Sequence, residues 1–164
     1  MIQNIDYALT KAQQACHRTG LRLTDKRYRI LQLMLQTDIP LSAYDIAERY
    51  KINYGATLPV VSAYRMLGFL LQAELAHKLD TTNQYLACSH IVCEHEHAVP
   101  QFLICDQCHA VQEVALRKQV LDELKSSVES SGFLLTNKQL ELHGFCEHCQ
   151  RKKMEYIQES AESS

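Results

Sequence analysis

Cys105-Asp-Gln-Cys108 and Cys146-Glu-His-Cys149 constrain this chain more than any other feature. Each is a C-x-x-C, a spacing that lets two thiolates grip one cation from a tight turn. Two such turns complete a tetrahedral shell of four sulfurs, with metal–sulfur distances of about 2.3 Å for zinc. That shell is closed. It leaves no position for a reacting water, so it holds structure rather than catalysing. Its binding free energy, roughly 10–16 kcal/mol in small zinc modules, becomes folding free energy. The competing reading, unrelated redox pairs or buried thiols, explains one such pair better than two. If one cation takes both pairs, residues 109–145 must fold back to bring them together.

The rest of the composition agrees with metal chemistry. The N-terminal run MIQNIDYALTKAQQAC lacks the basic-then-apolar pattern of a secretion signal, and no run of 18 apolar residues occurs. A cytosolic location is therefore expected, with no membrane partner. There thiols stay reduced, and the seven cysteines of the chain point to metal or redox chemistry rather than disulfides. A length of 164 residues suits one domain or two small ones. Charge is divided: residues 1–80 carry a balance of +3 and residues 81–164 a balance of −5. A mildly basic front half permits nucleic-acid binding without establishing it.

The first 73 residues read as helices. Ile5, Leu9, Ala12 and Cys16 share a helical face that stops at Gly20, and Cys16 reads as a small core residue. Thr24 is placed to cap a second helix carrying Ile30, Leu31, Met34 and Leu35. Ser42 with Asp45 resembles a capping box, opening a short helix through Tyr50. Pro59 precedes a fourth helix, VVSAYRMLGFLLQAE, whose apolar positions leave Ser62, Tyr64 and Arg65 partly outward near its start. LAHKLDTTNQYLAC then reads as a hairpin turning at Asp80–Asn83. Helices followed by a hairpin is the order of a winged helix-turn-helix, in which the helix before the hairpin enters the DNA major groove. Beyond it, Gln101–Cys105 and Ala110–Val114 suggest strands, Val120, Leu121, Leu124 and Val128 an amphipathic helix ending at Gly132, and Leu135–His143 another strand. The fold class expected is α+β: a winged-helix domain over 1–88, a ligand-rich hinge over 89–100, a zinc-stapled α/β domain over 101–154 and a polar tail over 155–164.

A second concentration of metal donors lies between the two parts. Cys88, His90, Cys93, His95 and His97 fall within ten residues, with His77 in the first hairpin strand and Glu113 after the first cysteine pair. Sulfur and imidazole donors suit zinc better than calcium or magnesium. A solvated polar loop is the plainer reading of any one histidine. Catalysis is poorly served: His95-Glu-His97 departs from the H-x-E of zinc deaminases, H-E-x-x-H is absent, and five glycines form no phosphate loop. No small-molecule substrate is expected, and the chain does not read as an enzyme.

The chain resembles the ferric uptake regulator superfamily over nearly its whole length, and most closely its zinc branch. The residues that carry the likeness are Leu21-Arg-Leu-Thr24 with Arg27, Ser42-Ala-Tyr-Asp45, Ser62-Ala-Tyr-Arg65 with Leu70-Leu71, His77-Lys78, Thr82-Asn-Gln-Tyr85, Leu103-Ile-Cys-Asp-Gln-Cys108 and His143-Gly-Phe-Cys-Glu-His-Cys149. Departures include Asp25 where the family has proline, and a loop between Cys88 and Cys105 richer in His, Cys and Glu than usual. The resemblance implies a homodimeric, metal-dependent repressor that binds double-stranded operator DNA and controls zinc-uptake genes. It maps one structural zinc per subunit onto Cys105, Cys108, Cys146 and Cys149. It maps one regulatory zinc onto His77, Cys88, a histidine of the following loop and Glu113; His97 is the choice here, as the last histidine before the next strand, with His95 next and His90 or Cys93 left as alternatives or a third site. It maps DNA contacts onto Tyr44, Tyr64 and Arg65, beside which Arg22, Lys26 and Arg27 read as a phosphate-holding cluster. Two other readings stand beside it: an iron- or peroxide-sensing relative, and a zinc-stapled interaction adaptor without a DNA role.

Overall fold

The computed structural model describes residues 4–92, 100–136 and 139–152. The chain divides into two compact units, residues 1–96 and 97–164. The first unit has the helices-then-hairpin order expected of a winged helix-turn-helix, and the second is a small α/β sheet unit.

The first unit contains α1 (Ile5–Arg18), α2 (Asp25–Leu35), α3 (Ala43–Tyr54), α4 (Val60–Gln72), β1 (Ala76–Leu79) and β2 (Gln84–Ala87). Asn4 caps α1 by accepting the Tyr7 N–H at 2.9 Å. Ala8, Leu9, Ala12 and Cys16 of α1 are buried, whereas Ile5 at its start is only half-buried. Burial raises the Cys16 thiol pKa, against a smaller lowering by Arg27, as befits a core residue. Thr24 occupies the N-cap of α2 but makes no side-chain capping bond, so it contributes the extended entry and not the hydrogen bond expected of it. Ser42 and Asp45 form the reciprocal capping box: the Asp45 N–H donates to Ser42 Oγ at 3.1 Å and the Ser42 N–H to Asp45 Oδ2 at 2.8 Å. Helix α3 runs past Tyr50 to Tyr54. Its stop is Gly55 in the left-handed region (φ 63°), whose N–H bonds the Lys51 carbonyl.

Helices α2, α3 and α4 pack on one another around Ile30, Leu31, Met34, Ile46, Ala63, Leu67 and Leu70. The hairpin has Asp80–Asn83 as its turn, with Asn83 at φ 53°, and pairs Ala76 with Ala87, His77 with Leu86 and Leu79 with Gln84. A third strand reduced to one residue, Leu41, bridges Tyr85 by two backbone hydrogen bonds of 2.8 Å. That bridge ties the hairpin to the start of α3, and no alternation signals it in the sequence.

The second unit holds β3 (Gln101–Cys105), β4 (Val111–Val114), α5 (Lys118–Ser130) and β5 (Glu141–Gly144), with strand order β4-β3-β5. β4 is antiparallel to β3, and β5 is parallel to it, with α5 in the crossover. The last strand is shorter than the Leu135–His143 expected, because its pairing is set by β3: Phe102 faces Glu141 and Cys105 faces Gly144. Gln101 is fully buried and accepts the Leu140 N–H at 2.7 Å, which seats β5 in that register. Helix α5 has the predicted apolar stripe but buries none of its residues within the chain. Among the described residues, no helix is long and apolar enough to cross a membrane.

Candidate metal centre and nucleic-acid interface

The parallel pairing of β3 and β5 decides where the cysteines go. Parallel strands end on the same side of a sheet, so the turns that follow Cys105 and Gly144 emerge together. The first turn is closed by the Cys105 N–H to Ala110 and the His109 N–H to Cys105, with His109 left-handed at φ 58°. The second begins where residues 147–152 become helical, the Gln150 N–H bonding the Cys146 carbonyl at 2.9 Å. The Asp106 N–H donates to the Gly144 carbonyl at 2.9 Å, and the His143 ring nitrogen Nδ1 lies 2.8 Å from Asp106 Oδ1, clamping the two turns to each other.

The four sulfurs of Cys105, Cys108, Cys146 and Cys149 lie within 4.8 Å of one another. Cys108 Sγ and Cys146 Sγ are 3.7 Å apart. A tetrahedron with metal–sulfur arms of about 2.3 Å has edges of about 3.8 Å, so this spacing fits a bound zinc and is far beyond a disulfide bond. The thiols are poised unequally. Backbone N–H groups of Cys146 and Cys108 hold the Cys105 thiol down to about 6. Burial, reinforced by the neighbouring thiols, pushes Cys149 up to about 12. At Cys108 the Ala110 N–H pulls downward, but the bond to Cys105 and burial outweigh it, and the thiol is raised. Four like charges in this volume repel one another unless a cation neutralises them.

A proton signature follows. Above about pH 6 Cys105 is already ionised, whereas Cys108 and Cys149 carry their protons at neutral pH. Metal uptake requires four thiolates. Zinc added to metal-free protein at pH 7 should therefore release protons, with Cys108 and Cys149 among their sources, and apparent affinity should fall more steeply once pH drops below about 6, where Cys105 also protonates. Calorimetry in buffers of different ionisation enthalpy measures the release; binding without proton release would contradict this thiol assignment.

The second donor group starts on the hairpin. His77 faces Leu86 across the ladder, and Cys88, two residues on, bonds its N–H to the Leu75 carbonyl at 3.0 Å. Period-two alternation puts His77 and Cys88 on one face as diagonal neighbours. Their donor atoms lie within 4.8 Å of each other, Cys88 is buried, and the Nε2 atom of His77 is buried too. Glu113 is half-buried on β4 of the other unit, opposite Phe102. His97, His95 and Cys93 lie outside the described residues.

Of the nucleic-acid candidates, Tyr44 is exposed in the first turn of α3, and Tyr64 and Arg65 are exposed near the start of α4. Arg27, expected in the phosphate-holding cluster, also makes contacts within the unit. Its Nη1 donates to the Arg22 carbonyl at 2.7 Å, and its guanidinium stacks 3.6 Å from the Phe69 ring centroid. These contacts half-bury Arg27 beside α4, while Arg22 and Lys26 are exposed.

The sequence profile of the ferric uptake regulator family matches residues 18–143. The zinc uptake regulation protein of Escherichia coli strain K12 is 34% identical over 141 residues, covering 86% of this chain and 80% of that protein. A solved zinc uptake regulator complexed with zinc and DNA superposes with a TM-score of 0.79 at 29% identity, covering 93% of this chain and 99% of the other. The crystal structure of holo XcZur gives a TM-score of 0.70 at 32% identity, over 87% of this chain and 96% of that one.

Proposed function

The chain belongs to the ferric uptake regulator family and is a transcription regulator, not an enzyme, and we propose that it is the zinc-responsive kind: a repressor of zinc-uptake genes that binds operator DNA as a zinc-loaded homodimer in the cytoplasm. The observation that carries the zinc reading is the hairpin pair, a buried thiol at Cys88 beside the imidazole of His77. An iron sensor is served by nitrogen and oxygen donors; a thiolate favours zinc. The similarity to zinc uptake regulators supports the same choice.

In this reading Cys105, Cys108, Cys146 and Cys149 hold a structural zinc, and His77, Cys88, Glu113 and the loop ligand His97 hold a regulatory one. Residues 1–88 read DNA, 89–100 form the hinge, 101–154 form the dimerisation domain and 155–164 a polar tail. His77 and Cys88 on the hairpin, with Glu113 and His97, would hold a zinc that would supply a Lewis-acidic centre there. His77 and Cys88 sit on the hairpin that directly follows α4, so fixing them selects among the positions in which the reading helix is carried. Arg65 would take a guanine O6/N7 edge bidentately, Tyr64 a thymine methyl or a phosphate, and Tyr44 a phosphate. Val120 and Leu124 of α5, with Leu103 and Leu142 of the sheet, are exposed apolar side chains that a second copy would cover.

The reading is tested by recovering DNA from a random-sequence duplex pool on the protein, with micromolar free zinc and with chelator. Enrichment of a palindrome with half-sites about 34 Å apart, in zinc only, is expected. No enrichment in either arm would favour the interaction adaptor; enrichment in both would remove the metal switch.

A further inference from the structure

The outer face of α4 carries Val61, Tyr64, Arg65 and Gly68, the i, i+3, i+4, i+7 spacing of one helical stripe. All four are exposed, while Ala63, Leu67 and Leu70 are buried on the opposite side. Val61 is the member of this stripe that the fold does not explain. It is 66% exposed, so core packing does not require it. A β-branched side chain loses rotamer freedom in a helix, so helix propensity does not favour it either. Position offers a reason. Val61 is the second residue of α4, one turn before Tyr64 and Arg65, and so about 5 Å nearer the helix N-terminus. That is the end which a helix-turn-helix presents to the base edges. The major groove displays one apolar feature, the C5-methyl group of thymine.

Resting on the DNA-binding reading above, we propose that Val61 is a specificity-determining residue: it selects thymine at one position of each half-site by packing on the C5-methyl group. Beside it the Arg65 guanidinium reads a polar base edge, and Tyr64 a phosphate or a neighbouring thymine methyl. Val61 adds its own discrimination, between thymine and the other three bases at its own position.

The test uses full-length, zinc-loaded protein and a duplex selected by the wild type from a random pool. Each thymine is replaced in turn by deoxyuridine, which removes only the methyl group. One replacement per half-site should weaken wild-type binding about fourfold, the effect of one buried methyl-sized group. Val61→Ala, at an exposed site where the fold is not at risk, should bind the unmodified duplex about fourfold more weakly per half-site and be indifferent to that replacement. Val61→Asn, offered the same random pool, should select adenine at that position, because an amide pairs with adenine N6/N7, while the other positions stay unchanged. Wild-type indifference to every deoxyuridine, or an undiminished methyl effect in Val61→Ala, would overturn the assignment to Val61. Failure of the wild type to select any duplex would instead overturn the DNA-binding reading, and this inference with it.

Discussion

Cys149→Ser is expected to abolish the structural metal and unfold the second unit while leaving the first intact. Among the described residues of that unit, the buried side chains are Gln101, Phe102, Ile104, Cys105 and Cys149. Two of these five are proposed metal ligands, and α5 has no fully buried residue in its own chain, only the half-buried Leu121 and Val128 among its apolar positions. A core this small leaves the unit dependent on its metal. A four-sulfur zinc contributes a binding free energy on the order of 10 kcal/mol in comparable modules. The first unit has its own core of more than twenty buried apolar residues and should keep a cooperative urea transition. Amide hydrogen exchange read residue by residue distinguishes the units: β3, β4 and β5 should lose protection while α2 and α4 keep theirs. Protection of β3 and β5 at wild-type levels in a variant shown to lack that zinc would mean that the sheet stands without metal.

Cys88→Ser is expected to do the opposite. The hairpin hydrogen bond from residue 88 to Leu75 is made by backbone and survives the substitution, so both units should fold and the four-sulfur zinc should remain. What is lost is the softest donor of the proposed sensing set. Coupling between a ligand site and DNA is typically 1–3 kcal/mol, and a dimer carries two such sites. Zinc should therefore raise operator affinity of the wild type by roughly two orders of magnitude or more, and that of Cys88→Ser hardly at all. A Cys88→Ser protein that loses all metal and unfolds would show that the structural and sensing roles are assigned the wrong way round.

The two metal groups differ in how far the sequence reveals them. The four-cysteine cluster is legible because C-x-x-C is a local motif, and the parallel β3–β5 pairing needs only to bring two such motifs to one end of a sheet. The His77–Cys88 pair is legible because a four-residue turn at 80–83 fixes the hairpin register, and alternation does the rest. The Ser42–Asp45 capping box is local in the same way. What escapes is set by tertiary context. Leu41 joins the sheet as one residue, too short for any periodic signal. The last strand is trimmed to Glu141–Gly144 by its partner and not by its own composition. Arg27 reads as one of a phosphate-holding cluster, and its stacking on Phe69, forty-two positions later, has no signal in the sequence. The stripe on α5 marks a face without saying what covers it, because a second copy of the chain leaves no trace in one chain's periodicity.

A regulatory zinc distinct from the structural one would make DNA affinity follow a second metal, and one measurement addresses this directly. Wild-type protein is held at a series of buffered free-zinc concentrations; zinc per chain and affinity for the selected palindromic duplex are recorded at each. The expected result is one zinc per chain throughout, with DNA affinity rising in step with the filling of a second. Full DNA affinity with a single zinc per chain, unchanged as the second is added, would contradict the account.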